Sequence, residues 1–174
     1  MTDGKKPLKI KIKKPEGHCC FACGTENPIG LNLQFYRLGE AVCTDITLGR
    51  YHEGWQDIAH GGILSTLLDE VMSWAVMISK KTFLVTRKME IKYVRNVFIG
   101  IPLTVSGQMV DETSAPRIQA KGEIRDNQGR LLVKGSGEFV VIPEEKLSAM
   151  PPGFKDRMAS LFASSPSQPP RSTP

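Results

Sequence analysis

His60, Gly61 and Gly62 run straight into a strongly apolar segment that carries two adjacent acids, Asp69 and Glu70. Glycines let a ligand approach the backbone closely. The first N–H groups of a helix have no partner inside it. Together with the helix dipole they form a site for a carbonyl oxygen that gains negative charge. A carboxylate in an apolar helix is costly unless something compensates for it. Asp69 lies about two turns beyond Gly62, ~10 Å along the axis at ~1.5 Å per residue. An acyl group held at the glycines is therefore out of reach of the same chain's Asp69. A symmetry-related copy of the chain could supply the acid instead; the alternative on helix geometry alone is that Asp69 and Glu70 are the exposed edge of an amphipathic helix.

A second constellation is His18, Cys19, Cys20 and Cys23, in which Cys20-x-x-Cys23 has the spacing of half a zinc site. No second pair follows it, and Cys43 and His52 would have to converge on it from elsewhere. The expectation is a structural tight turn, with a metal or redox role as the alternative. Cys43, between strand-like residues, reads as core. No phosphate-cradling glycine loop and no nucleophile elbow is present.

These residues need elements to hold them. Residues 62–79 form the long helix, with Ile63, Leu64, Leu67, Leu68, Val71, Trp74, Ala75 and Ile78 on a broad apolar arc. Ser65, Thr66, Asp69 and Ser73 gather opposite, with Glu70 at the edge and Met72, Val76 and Met77 flanking. A helix so nearly apolar is buried on most sides, and its polar stripe then faces a second surface, such as another subunit. The segments 31–37 and 41–48 read as a hairpin. In "KMEIKYV", Met89, Ile91 and Tyr93 alternate with Lys88, Glu90 and Lys92. "RIQAKGEIR" alternates as cleanly, "PLTVSGQMV" precedes it, and "RLLVKGSGEFVVI" returns after a "DNQG" turn. Such alternation marks antiparallel strands with one wet face. One helix against a meander of about six strands is an α+β layer architecture.

Composition bounds the rest. The chain has 174 residues, 40% hydrophobic and 24% charged, which suits one soluble domain with tails. Six of its 23 basic residues lie in the first 14 positions, and without residues 1–15 the acids and bases balance at 17 each. The net charge of +5 thus sits in an N-terminal tail, which argues against a nucleic-acid-binding body. The expected organisation is a basic flexible tail at 1–16, a folded domain at 17–147, and a Pro/Ser-rich disordered tail at 148–174. Polar interruptions in the longest apolar segment argue against a membrane span. The lysine-rich N-terminus lacks a signal core, and the cysteines form no disulfide framework, so a cytoplasmic location is expected.

The motif "HGGILSTLLDE", preceded by "YHEGWQDIA" and followed by "LVTRKMEIKYVRNV", resembles the hotdog-fold thioesterase superfamily, in its phenylacetate-degradation-type branch. The resemblance covers about residues 20–142, and "CFACGTENPIGLNL" is similar to a segment found ahead of that domain in some members. It implies a hotdog fold, a long central helix wrapped by an antiparallel sheet, in a homodimer or a tetramer with active sites at the dimer interface. It further implies an acyl-CoA thioesterase that hydrolyses a thioester to free acid and CoA, with no cofactor and no metal. Asp69 would be nucleophile or general base, Gly61 or Gly62 would polarise the carbonyl through its N–H, and His60 would position. Thr86 stands where the family often has a Ser or Thr that holds the attacking water. Trp55, Gln56, Arg87 and Lys88 are the substrate-binding candidates. Two features depart from the family pattern. Gly54 occupies a position that is often Asn or Gln, with Gln56 as a stand-in, and Thr86 shares strand parity with the outward Lys88 and Glu90. The alternatives are a non-catalytic acyl-CoA-binding or sensing module and a hydratase or dehydratase. The latter lacks its His-x-x-x-Pro-Gly type of signature here.

Overall fold

The central element of the computed structural model, which describes residues 8–114, 116–147 and 153, is the helix α1 (Gly61–Lys80). Around it runs one antiparallel sheet made of β1 (Ile10–Lys11), β2 (Tyr36–Leu38), β3 (Ala41–Thr47), β6 (Leu84–Tyr93), β7 (Pro102–Ser114), β8 (Arg117–Asp126) and β9 (Leu131–Val141). The strand order is β1-β2-β3-β7-β8-β9-β6. A 3-10 turn (Arg50–His52) and a small hairpin of β4 (Glu53–Trp55) and β5 (Ile58–Ala59) lead into the helix. A short α2 (Glu144–Leu147) follows the sheet. This is the hotdog α+β architecture, with seven strands in the wrapping sheet.

The helix lies so close to the sheet that three neighbouring strands carry glycine beneath it. Gly107, Gly122 and Gly135 pair in register across β7, β8 and β9. A Cβ on Gly107 would fall 2.5 Å from the carbonyl of Val71, and one on Gly122 would fall 3.1 Å from Leu68 Cδ2. Leu67, Leu68, Val71, Met72 and Val76 are fully enclosed as a result. Met72 and Val76, which the sequence places beside the polar stripe, thus belong to the core. The helix is long and apolar enough to cross a bilayer by length and composition, but its apolar arc is packed on the sheet.

Two segments differ from expectation. Residues 10–14, expected within a basic tail, are part of the body: β1 pairs with β2, Ile12 is buried, and the Lys14 ammonium donates to the Cys23 carbonyl at 2.8 Å. The alternation of Ile10 and Ile12 with lysines is a strand pattern that the charge count obscures. The first arm of the expected 31–37 hairpin is a sheet strand only over Tyr36–Leu38. Upstream, the N–H groups of Leu31 and Leu33 donate instead to Phe21 and Ala22 of the cysteine loop. The expected tail at 148–174 lies outside the described residues, apart from Gly153.

Candidate active site

The start of α1 is fixed from three directions. His60 caps the helix from extended backbone, and its Nδ1 accepts the Gly62 N–H at 2.9 Å. The His60 N–H donates in turn to the His52 carbonyl at 2.8 Å, tying the cap to the preceding turn. From β6, the Tyr93 hydroxyl donates to the Gly61 carbonyl at 3.0 Å. Ser65, one turn into the helix, reaches the same carbonyl at 2.9 Å and lies 2.9 Å from the Tyr93 oxygen. The Gly62 N–H is therefore engaged by His60, and among the described residues the Gly61 N–H meets no acceptor. Gly54 lies against the cap: a Cβ there would come within 3.0 Å of His60 Cα. A longer side chain at this position would displace the cap.

Two turns on, Asp69 is half-buried, and its Oδ1 accepts the Thr86 hydroxyl at 2.7 Å. Thr86 reaches the helix because the register of β6 against β9 shifts between Thr86 and Lys88. A bulge places two residues of one strand opposite one of its partner and so reverses the facing of all that follows. Thr86 pairs with the buried Phe139, whereas Lys88 pairs with the outward Glu138. That shift resolves the parity conflict seen in the sequence.

Glu70 points elsewhere. Its Oε1 accepts the Trp74 indole N–H at 2.9 Å, and its carboxylate meets the sulfurs of Cys20 and Cys23. Burial pushes the Glu70 carboxyl above the usual carboxylate range. A hydrogen bond from the Cys23 thiol, with further N–H bonds from Cys23 and Ala22, lowers Cys20 to about 5. Cys23 itself is pushed upward by that same bond and by burial. A cavity of about 380 Å³ opens here, and its wall includes His18, Cys20, Glu70, Trp74, Met77 and Thr86. Thr86 thus touches both this cavity and Asp69.

The remaining candidates lie apart from Asp69. Trp55 is 78% exposed on the β4–β5 hairpin, with Gln56 exposed beside it. Arg87 forms an ion pair with Glu138 on the outer face of the sheet. Lys88 lines a shallow groove on that face with Glu90 and Gln119. The sequence reading did not single out Tyr93 and Ser65 for the site. Their signals were the inward parity of Tyr93 on β6 and the one-turn spacing of Ser65 from Gly61.

Comparison with known proteins agrees with the fold. The model of the thioesterase superfamily matches residues 56–133, which holds the cap, the helix and Thr86. A solved thioesterase superfamily protein superposes with a TM-score of 0.61 at 27% identity, covering 66% of this chain and 56% of that one. A hypothetical thioesterase from Streptococcus pneumoniae, solved with coenzyme A, gives a TM-score of 0.58 at 24% identity over 64% of this chain and 87% of its own. The Escherichia coli PaaI protein of the phenylacetic acid degradation operon gives 0.59 at 20% identity, over 65% of this chain and 81% of its own. Among curated proteins, verlamelin biosynthesis protein B of a Lecanicillium species is 28% identical over 142 residues, 66% of this chain and 57% of that protein. The chain therefore spans just over half the length of that curated relative and of the first solved one. Residues 56–133 are thus similar to the thioesterase superfamily, and the fold is the hotdog fold that the first of these structures shares.

Proposed function

We propose that this protein hydrolyses an acyl-CoA thioester to the free acid and CoA, with Asp69 as its catalytic carboxylate. The observation that carries this reading is the Thr86–Asp69 hydrogen bond beside the cavity. The Thr86 hydroxyl donates to one carboxylate oxygen and leaves its own lone pairs free to accept from water. The second carboxylate oxygen can take the proton as that water attacks the carbonyl carbon. In this reading Asp69 serves as general base, and direct nucleophilic attack is the variant that isotope incorporation would separate from it. The Gly61 N–H, at the positive end of α1, stabilises the developing oxyanion, and His60 holds the turn in place.

Gly61 and Asp69 of one chain lie too far apart along the helix to act on one carbonyl. We therefore assign the two halves of each site to different subunits of a homodimer, with a tetramer as a further possibility of assembly. Strand β6, ten residues long, ends the sheet with an edge that no strand among the described residues pairs, and exposes Val85 (53%) and Tyr93 (51%). An edge of this length is a template for pairing with a second copy. Trp55, Gln56, Arg87 and Lys88 are then the candidates for holding the acyl-CoA. The coenzyme A in the Streptococcus pneumoniae relative supports this ligand class. That protein has also been solved with an aspartate and with a threonine replaced by alanine, which suits attention to such a pair. The likeness to PaaI supports the phenylacetate-degradation-type branch in the same way.

The test is release of CoA from short-chain, long-chain and aryl acyl-CoAs, followed with a thiol reagent. Turnover of at least one class is expected. Tight binding without turnover of any would mark an acyl-CoA-binding module instead.

A further inference from the structure

The cysteine loop has no part in the reaction described above, yet its backbone is closely tied. The Gly24 N–H donates to the Cys20 carbonyl at 2.9 Å, and the Glu26 N–H to the His18 carbonyl at 3.2 Å. The fold-back is so tight that a Cβ on Gly24 would lie 2.4 Å from the Cys20 oxygen. This turn brings the two sulfurs together. Backbone bonds from Leu31 and Leu33, and the Lys14 ammonium on the Cys23 carbonyl, hold the loop against the body. There it faces the middle of α1, where Glu70 completes the cluster. The sulfurs of Cys20 and Cys23 and a carboxylate oxygen of Glu70 all lie within 4.8 Å of one another.

We propose that Cys20, Cys23 and Glu70 form a binding site for a single Zn²⁺ ion, with the fourth coordination position opening onto the cavity that His18 also lines. Two thiolates and a carboxylate are a donor set that zinc takes readily, at about 2.3 Å for sulfur and 2.0–2.2 Å for oxygen. Thiolate ligands select it over the hard cations magnesium and calcium. Small side-chain rotations suffice to draw atoms already within 4.8 Å onto one ion. The indole of Trp74 holds the carboxylate by its Oε1 at 2.9 Å, the kind of outer bond that orients a ligating carboxylate. Charge also closes: three anionic ligands and Zn²⁺ leave one negative charge, and Lys14 supplies a buried positive one beside the loop. The ion pins the N-terminal segment to α1, next to Asp69, and so forms one wall of the cavity. It is a clamp on the pocket, separate from the hydrolytic step, and does not depend on that step.

The experiment uses the full chain, reduced and stripped with a chelator, then titrated with Zn²⁺ alone and with Co²⁺. One zinc per chain by elemental analysis is expected. The cobalt form should show thiolate-to-metal charge-transfer absorption and the intense visible bands of tetrahedral coordination. Cys20→Ser and Glu70→Gln each remove a direct ligand and should weaken zinc by at least the ~10–100-fold that loss of an outer-shell partner costs, with helix content unchanged by circular dichroism. Should the cysteine variant fail to fold, the wild-type cobalt spectrum and Glu70→Gln still decide the matter. A reduced wild type that takes up no stoichiometric zinc and gives no thiolate–cobalt absorption overturns the proposal. So does stoichiometric zinc that persists in the Cys20→Ser, Cys23→Ser double variant.

Discussion

Thr86 Oγ1 donates to Asp69 Oδ1 at 2.7 Å, joining the edge strand β6 to the middle of the central helix. If this bond orients the base, Thr86→Val should lower kcat about tenfold, whereas Thr86→Ser should keep most of it. Stability should change by no more than about 1 kcal/mol, because the group is exposed to water. Steady-state kinetics beside a urea melt separates the two effects. A Thr86→Val enzyme with wild-type kcat would remove Thr86 from the site.

Tyr93 and His60 fix the first turn of α1 by different bonds. Tyr93→Phe removes the hydroxyl shared by the Gly61 carbonyl and Ser65, at an expected loss of about 1 kcal/mol. His60→Ala removes the cap on the Gly62 N–H, at an expected loss of about 0.5–2 kcal/mol. Both read out as a shifted urea midpoint with unchanged slope. No shift in either would mean that the turn is held without them.

The row of glycines beneath the helix gives a steric prediction. In Gly107→Ala the new methyl meets the backbone of Val71, which cannot rotate away, so a loss of about 2–3 kcal/mol or more is expected. Gly49→Ala, where a Cβ meets nothing within 4 Å, should stay within about 0.5 kcal/mol of wild type. Equal midpoints for the two variants would contradict the close helix–sheet contact.

The cysteine loop makes a prediction in pH. In metal-free protein the Cys20 thiolate, favoured by the Cys23 thiol and local N–H groups, persists down to about 5. Its alkylation rate should therefore be near its plateau at neutral pH and fall to half near pH 5. Cys23, buried and shifted upward, should stay unreactive. The sign for stability follows: a thiol held below its ordinary value stabilises the fold above the usual thiol range. That contribution disappears as pH falls through about 5. Peptide mapping by mass spectrometry after brief alkylation measures both sites at once. A half-point near the usual thiol value would contradict the hydrogen-bonded thiolate.

The parts of this protein that were legible in its sequence are those written by local period. The helix at 62–79 falls within one residue of α1 at each end, and the inward Met89, Ile91 and Tyr93 follow from strict alternation. Asp69 stands out because it interrupts an apolar helix. What the period misleads about is Thr86, since one bulge on β6 reverses its facing and no residue type announces it. Strand β1 was hidden because its lysines were counted as charge rather than as the outward half of an alternation. The meeting of Cys20 and Cys23 with Glu70 was invisible for a different reason. It depends on a loop folding back over a helix far downstream, a long-range contact to which no spacing refers.

The most direct test of the central claim is the turnover of Asp69→Asn against wild type on whichever acyl-CoA the wild type hydrolyses. The substitution keeps the size of the side chain and an acceptor for Thr86 but removes the base. The account predicts a fall in kcat of about 10²–10⁴-fold, with KM and oligomeric state little changed. An Asp69→Asn protein that releases CoA at the wild-type rate would contradict it.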